Sequence, residues 1–302
     1  MMINRSHNMR YGNQSGPCRA QVRCAPAGFT LTELLVAIGI ITMLTVLTAV
    51  SFRVVTNDAK LSMGKNTVMA VLDNARALAM KNNKIVMVAF RAVPDGENEQ
   101  YIEAVLAEWT GESYRDPGVG VVDRFRPIVG APVRLLPRGI QIAAPQYGGN
   151  YDDYWQSCSH LPGVAAGEQA GGVIAVVFNP DGITITRNTR SDSDRMFVDF
   201  NDDYLQRQGG NDFDLWSTFP NNNGYCDFGN NLLQFFCQRE PDDEPYVTIA
   251  PYLAVYNDVE ARELYDTTTW SNGQIRADDV TRYVTNNADR IHFNRYTGVA
   301  MK

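Results

Sequence analysis

Histidine is scarce in this 302-residue chain, which contains only His7, His160 and His292. The sequence has no nucleophile-elbow pattern to support a Ser/His/Asp arrangement, no phosphate-binding loop, no H-E-x-x-H zinc motif and no dinucleotide fingerprint. These absences argue against the common hydrolase, metalloprotease, nucleotide-binding and oxidoreductase classes. We therefore expect a protein that is not an enzyme and has no catalytic residues.

Basic residues are also few, with 27 lysines and arginines against 34 acidic residues and a net charge of −7. Residues 1–28 hold four of the arginines and no acidic residue, so the remainder has 23 basic and 34 acidic residues. Nucleic-acid phosphates bind clustered lysines and arginines. The acidic remainder therefore argues against nucleic acid as a partner.

Cysteine occurs five times, and Cys18 and Cys24 have no nearby ligands to complete a zinc site. Cys226 and Cys237 are close enough in sequence to close a small loop, worth about 3 kcal/mol of stability in an oxidising compartment. Cys158 would then have no partner. The alternative, three buried free thiols, stays open, and no metal site is expected from the cysteines.

Charge is absent from nineteen consecutive residues, 34–52. As a helix this run would be about 28 Å long, close to the hydrocarbon thickness of a bilayer. Because basic residues precede it, the positive-inside rule places residues 1–28 in the cytoplasm and the C-terminal part outside it. We expect a single-pass membrane protein. The run fits a secretory signal peptide, an uncleaved signal anchor or a prepilin-type leader.

The motif GFTLTE, residues 28–33, favours the third of these possibilities. With a basic leader before it and an apolar run after it, the motif resembles the class III signal of type IV pilins and type II secretion pseudopilins. The resemblance implies a bacterial inner membrane, with the C-terminal domain in the periplasm or elsewhere outside the cytoplasm. The resemblance implies that a prepilin peptidase removes residues 1–28 by cutting between Gly28 and Phe29, and that the new amino terminus of Phe29 is methylated. Glycine at the cut presents no side chain to obstruct the protease.

Glu33 would be the fifth residue of the processed chain. A carboxylate beside an apolar run costs several kcal/mol if it is unpaired. We expect Glu33 to pair with the Phe29 amine of another subunit, which would favour assembly at a fixed axial offset. The alternative, in which Glu33 only reaches toward lipid headgroups, stays open.

Apolar residues recur at helical intervals beyond the charge-free run. They predict one helix within residues 29–82, continuous to about Met80, with a transmembrane first half and an amphipathic second half. Gly64 is expected to be a soft point in this helix. The residues of the predicted stripe are Leu61, Val68, Leu72, Ala75 and Ala79.

Residues 83–302 alternate short β-type runs with large polar insertions in 91–171 and 187–285. The predicted fold class is α+β, a long N-terminal helix packed on a C-terminal antiparallel β-rich globular domain with large loop insertions. The predicted strands are 84–90, 101–109, 139–143, 172–178, 183–187, 196–200, 246–249, 252–256, 290–293 and 299–301, and short helices are predicted at 258–265 and 277–284.

Three fragments narrow the resemblance: LDNARALAMKNNKIVMVAF, VVFNPDGITI and IHFNRYTGVAMK. They resemble the helix-to-strand join, the strand–turn–strand segment and the closing hairpin of the GspH/FimT class of minor pseudopilins and minor pilins. The resemblance implies a structural subunit of a type II secretion pseudopilus. Its implied partners are other pilin or pseudopilin subunits, the prepilin peptidase, an inner-membrane assembly platform and the lipid bilayer. Two alternatives stay open: a minor type IV pilin in adhesion, motility or DNA uptake, and a membrane-anchored binding module that does not polymerise.

An acidic cluster, Asp192–Asp203, offers the hard oxygen ligands that suit calcium. Its spacing departs from the EF-hand loop, because no glycine or distal glutamate stands at the required places. A solvated acidic loop is the simpler interpretation, so no cofactor is expected, and calcium is retained as the alternative.

Overall fold

The computed structural model describes residues 30–94, 100–116, 120–145, 155–158, 171–186, 194–208, 211–214, 238, 242–271, 273–294 and 296–301. The chain divides into two compact units, Met1–Phe52 and Arg53–Lys302. The helices in the described ranges are α1 (Leu31–Asn82), α2 (Asp258–Leu264), a 3-10 helix (Thr267–Ser271) and α3 (Gly273–Asn287).

The fifteen described strands all lie in the second unit. They are β1 (Val86–Pro94), β2 (Gln100–Asp116), β3 (Gly120–Pro127), β4 (Arg134–Leu135), β5 (Ile140–Pro145), β6 (Trp155–Ser157), β7 (Ile174–Phe178), β8 (Thr184–Ile185), β9 (Asp194–Val198), β10 (Leu205–Gln208), β11 (Asn211–Asp214), β12 (Thr248–Ile249), β13 (Tyr252–Asn257), β14 (Asp289–Phe293) and β15 (Ala300–Met301).

The strands form three sheets. The largest has the order β12-β7-β1-β2-β3-β9, with β4 added to β2 and β8 added to β7. A second sheet has the order β15-β14-β13-β5-β6, and β10 and β11 form a separate hairpin. Two pairs in the largest sheet, β12 with β7 and β3 with β9, are parallel. The predicted antiparallel domain is therefore wrong in these two pairs, because long connections lead from β3 to β9 and from β7 to β12 and permit parallel crossovers.

The central strands of the large sheet are buried on both faces. Side chains alternate across a strand, so Val176 and Phe178 of β7 pack into one core while Ala175 and Val177 pack into another. The first core also contains residues of α1 that were predicted to form its apolar stripe, namely Val68, Leu72, Ala75 and Ala79. This double burial explains why these strands are continuous apolar runs in the sequence.

Gly64 lies on the same face of α1 as the buried stripe. A Cβ at this position would lie 2.8 Å from Cγ2 of Ile140, so the glycine allows the helix to approach β5 closely. The predicted soft point is instead a packing position inside a continuous helix. At the other end of this segment, Asn83 with φ of 52° follows the last helical residue, and the amide of Lys84 donates to the carbonyl of Ala79. This Schellman-type arrangement ends the helix.

The structure also corrects the prediction that the first half of the helix spans a membrane. In the part of the chain that the structure describes, no helix has both the length and the apolar character needed to cross a bilayer. The prediction made residues 34–52 the spanning half of one continuous helix, and α1 does continue through Asp58, Lys60 and Lys65 to its end at Asn82. The expected anchor is therefore wrong, and so is the single-pass inner-membrane location that depended on it.

Candidate functional site

Glu33 lies in the first turn of α1, where it caps its own helix. Its Oε2 accepts hydrogen bonds from the backbone amide and from the hydroxyl of Thr30, both at 2.9 Å. The amide of Glu33 donates in turn to Oγ1 of Thr30 at 3.3 Å. This reciprocal pair is a capping box, which satisfies amides that have no partner within the helix. The T-x-x-E spacing of residues 30–33 was the sequence signal for it.

These hydrogen bonds affect the charge of Glu33. The bond from the Thr30 amide, followed by the bond from its hydroxyl, lowers the pKa of the exposed Glu33 carboxyl below its ordinary value. The group is therefore negative at neutral pH and remains open to solvent. A capped carboxylate has further lone pairs, so it can also accept a cation from outside the chain.

Exposed apolar side chains surround the first part of α1. They occur at consecutive positions, which point in all directions around a helix of 3.6 residues per turn. The hydroxyls of Thr42, Thr45 and Thr48 donate to carbonyls of their own helix, at 2.9, 2.7 and 2.9 Å, and so hold their polar atoms against the backbone. Ten side chains are each more than half exposed: Leu31, Leu34, Leu35, Val36, Ile38, Ile40, Ile41, Met43, Leu44 and Val46.

Several predicted site residues lie outside the described residues. They include Gly28 and Phe29 of the expected cleavage site, and Cys226 and Cys237 of the expected disulfide. Cys158, by contrast, is described: it is fully buried and its thiol donates to the carbonyl of Phe90 at 3.3 Å. Burial raises the pKa of this thiol, which makes it a packed core residue rather than a nucleophile.

The described part of the acidic cluster binds an arginine. The guanidinium of Arg124 lies 2.7 Å from a carboxylate oxygen of the fully buried Asp199 and 2.5 Å from one of Asp202. It also lies 2.8 Å from a carboxylate oxygen of Glu112, and its Cζ is 4.0 Å from the ring centroid of Tyr204. The cluster therefore closes around a basic side chain of β3, a partner that the sequence pattern did not identify.

The electrostatics of this cluster agree with its geometry. Burial tends to lower the pKa of Arg124, but the hydrogen bonds and charges of Asp199, Glu112 and Asp202 outweigh it and raise the pKa above its ordinary value. Asp192 lies outside the described residues. Among the residues that the structure describes, no group of three or more histidine, cysteine, aspartate or glutamate side chains is placed to hold a metal ion.

Two asparagine-initiated turns meet against α1. Asn179 Oδ1 accepts from the amide of Ile183 at 2.8 Å, and Asn294 Oδ1 accepts from the amide of Thr297 at 3.1 Å. Nε of Arg76 donates to the carbonyls of Gly182 and Thr297, one in each turn, at 3.2 and 2.8 Å. Three fragments that are separate in the sequence are thus brought together: the end of α1, the turn after β7 and the hairpin of β14 and β15.

A buried polar chain crosses the second sheet. Ser157 Oγ lies 2.6 Å from Oη of Tyr256, which lies 3.5 Å from Oδ1 of Asp258. Burial raises the pKa of Tyr256 well above its ordinary value, so the phenol keeps its proton. His292 stacks on Tyr252 with ring centroids 5.2 Å apart and lies on β14, outside this chain of hydrogen bonds. Sequence reasoning did not identify this set of hydrogen bonds, since Ser157 lies 99 residues from Tyr256 along the sequence.

Comparison with known proteins finds no relative: no family model, no curated protein and no solved structure matches this chain.

Proposed function

We propose that this chain is a minor pseudopilin, a structural subunit that polymerises into a type II secretion pseudopilus through α1 after cleavage between Gly28 and Phe29. The observation that carries the proposal is the set of ten exposed apolar side chains in residues 31–46. A soluble surface rarely leaves a contiguous apolar area of this kind uncovered unless it is a contact surface. Helices of neighbouring subunits would cover it on all sides.

The energy of that contact is of the same order as the cost of bringing subunits together. Burying an aliphatic side chain is worth about 1.5–3 kcal/mol relative to leaving it exposed. Ten side chains that are already partly shielded would contribute on the order of 10 kcal/mol. This magnitude is comparable with the cost of association, which is about 4–15 kcal/mol. Neighbours on several sides would add further contacts.

The arrangement of the fragments gives the proposal a second support. The three segments whose residues resemble the GspH/FimT class lie side by side, joined through Arg76. If the resemblance were accidental, the three fragments that carry it would have no reason to lie together in the fold. Here the pieces form one structural unit at the C-terminal end of α1.

Glu33 has two separable roles in this proposal. It caps α1 through Thr30, and its negative charge attracts the Phe29 amine of a neighbouring subunit. Glutamine also serves at this position of a capping box but carries no charge. The change Glu33→Gln therefore keeps the cap and removes the attraction, whereas Thr30→Ala weakens the cap and keeps the charge.

The test compares these variants in the cell that encodes the chain, with incorporation into sheared filaments as the readout. We expect Glu33→Gln to be cleaved at Gly28 normally but to be incorporated at least several-fold less, and Thr30→Ala to be incorporated nearly as well as the native chain. Equal incorporation of Glu33→Gln and the native chain would contradict the pairing. A mature chain that does not begin at methylated Phe29, measured by mass spectrometry, would contradict the processing.

A second measurement tests polymerisation itself. Ile38→Glu places a charge within the exposed apolar surface, and Val129→Glu is the matched control on an exposed turn of the other unit. We expect Ile38→Glu to abolish filament incorporation and Val129→Glu to leave it unchanged. Equal incorporation of both variants would mean that the apolar part of α1 is not the assembly surface. It would favour a binding module that does not polymerise.

A further inference from the structure

Glu244 joins two segments that precede it by about 40 residues. Its Oε1 accepts from the amide of Phe200 at 2.7 Å, and its Oε2 accepts from the amide of Arg207 at 3.2 Å. The amide of Glu244 donates to the carbonyl of Arg207 at 2.7 Å, and its carbonyl accepts from Nε2 of Gln206 at 2.9 Å. Glu244 therefore links the hairpin of β10 and β11 to the segment that follows β9, residues 199–204.

The hairpin of β10 and β11 depends on such contacts for its position. Within the described residues, its two strands pair with each other and with no other strand. A two-stranded hairpin is marginally stable by itself in water. Nη1 of Arg207 also lies 3.8 Å from Oδ2 of Asp242, but both side chains are well exposed, so this ion pair contributes at most about 1 kcal/mol.

The carboxyl of Glu244 is buried among acidic groups. Glu244 is 2% exposed, and no lysine or arginine of the described residues pairs with its carboxylate. Asp199 and Asp203 act on it from the segment after β9, and Asp242 and Asp243 precede it on its own segment. Three arginines of this region pair with other carboxylates: Arg91 with Glu103, Arg124 with Asp199 and Arg207 with Asp242.

This environment opposes ionisation of Glu244. A carboxyl that is buried without a cation favours its neutral form, and neighbouring carboxylates strengthen that preference. Burial, together with the charges of Asp199 and Asp203, outweighs the two amide hydrogen bonds and raises the pKa of Glu244 to about 8. The carboxyl therefore titrates close to neutral pH while it stays in its folded position.

We propose that Glu244 is a pH-dependent latch, which holds the hairpin of β10 and β11 while its carboxyl is protonated and releases it when the carboxyl ionises. Opening of the hairpin gives the charged carboxylate access to water, which removes the cost of burial. The contribution of the latch is full below about pH 4.5 and is lost as pH rises toward about 8. The opening is local, so the two larger sheets remain folded.

Hydrogen exchange of the full chain at pH 6 and pH 8 tests the latch. Protection factors, measured by mass spectrometry on peptides that contain residues 205–214, correct for the faster intrinsic exchange at the higher pH. We expect protection of the hairpin to fall at least about tenfold between the two values, within the limit of about tenfold per pH unit that one carboxyl sets. Exchange through a local opening should also be insensitive to low concentrations of urea, whereas exchange of β7 should accelerate.

Two variants connect the pH response to Glu244. Glu244→Gln is neutral at both pH values and keeps an oxygen that can accept from the amide of Phe200. Its hairpin should have the same protection at pH 6 and pH 8. Glu263→Gln removes an exposed carboxyl and is the matched control, so it should retain the native response to pH.

Three outcomes would overturn the proposal. One is equal protection of the hairpin at pH 6 and pH 8 in the native chain. Another is the native fall in protection in Glu244→Gln, which would assign the response to a different group. The third is exchange of the hairpin that follows β7 in urea, which would mean that the hairpin opens only when the whole domain unfolds. The first and third are measured on the native chain, so they do not require Glu244→Gln to fold.

Discussion

Nε of Arg76 lies 2.8 Å from the carbonyl oxygen of Thr297, 221 residues further along the chain. The same Nε lies 3.2 Å from the carbonyl of Gly182, so one guanidinium on α1 holds two turns. The turns also approach each other directly, because a Cβ at Gly298 would overlap the carbonyl oxygen of Gly182. The edge-to-face pair of Phe178 and Phe293, with centroids 6.5 Å apart, lies at the beginning of the same two turns. The closing hairpin is thus attached to α1 through a polar contact and to β7 through an aromatic one.

Arg76→Met should lower the free energy of unfolding by about 1–2 kcal/mol, because hydrogen bonds from a charged donor are worth about 1.5–3 kcal/mol and this one is partly exposed. Urea unfolding measures the change. Arg134→Met, at an exposed position on β4, is the control and should have an effect within about 0.5 kcal/mol. Equal stability of the two variants would mean that the turns are held by packing alone.

Gly298→Ala should be much more destabilising than Gly130→Ala. Both glycines have positive φ, 66° and 81°, so both substitutions incur a backbone cost of about 1–2 kcal/mol. At Gly298 the new methyl would meet backbone, whereas no atom of the described residues lies within 4 Å of a Cβ at Gly130. We expect an additional loss of about 1–3 kcal/mol, as for other overpacked sites. Thermal or urea unfolding of the two variants should differ accordingly, and equal values would contradict the close approach of the turns.

Asp199→Asn and Asp202→Asn should differ although both residues bind the Arg124 guanidinium. Asp199 is fully buried, whereas the side chain of Asp202 is 44% exposed. Removing one member of a buried ion pair costs about 3–5 kcal/mol, and a solvent-exposed pair contributes at most about 1 kcal/mol. We expect the free energy of unfolding to fall by about 3 kcal/mol or more in the first variant and by less than about 1 kcal/mol in the second. A larger effect of Asp202→Asn would contradict this ranking.

Glu244 should make stability depend on pH. Burial, together with the charges of Asp199 and Asp203, outweighs the amide hydrogen bonds from Phe200 and Arg207 and raises the pKa of its carboxyl to about 8. The ordinary pKa is 4.5, so between these values the folded protein keeps a proton that the unfolded chain has lost. Stability from this group is therefore full below about pH 4.5 and is lost as pH rises toward about 8.

The measurement for Glu244 is the free energy of unfolding across this pH range. Glu244→Gln stays neutral, and it should flatten the decline by at most about 1.4 kcal/mol per pH unit. Glu263→Gln, at an exposed position, is the control and should retain the native slope. An unchanged slope in Glu244→Gln would assign the pH dependence to other groups.

The local sequence pattern was enough to predict two of the buried strands, β7 of the large sheet and β13 of the second sheet. The predicted run 172–178 contains β7 (Ile174–Phe178), and the predicted run 252–256 lies within β13 (Tyr252–Asn257). Both are short apolar runs rich in β-branched residues, which favour strands regardless of distant contacts. The polar strand β3 (Gly120–Pro127) was not predicted, because Asp123, Arg124 and Arg126 read as loop residues until their partners are known.

By itself, the sequence determined the features that depend on neighbours along the chain. These are the spacing of Thr30 and Glu33 that caps a helix, the apolar stripe along α1, and the asparagines at Asn179 and Asn294 that start tight turns. Each depends on residues a few positions apart, so backbone periodicity alone relates them.

Only the tertiary structure decided which distant groups meet. It placed Arg124 among the carboxylates of the acidic cluster and Arg76 between two turns. It also decided the parallel pairing of β3 with β9. These contacts depend on how the sheets and α1 pack, because a charged or amide side chain gives no local signal of the partner that burial will require.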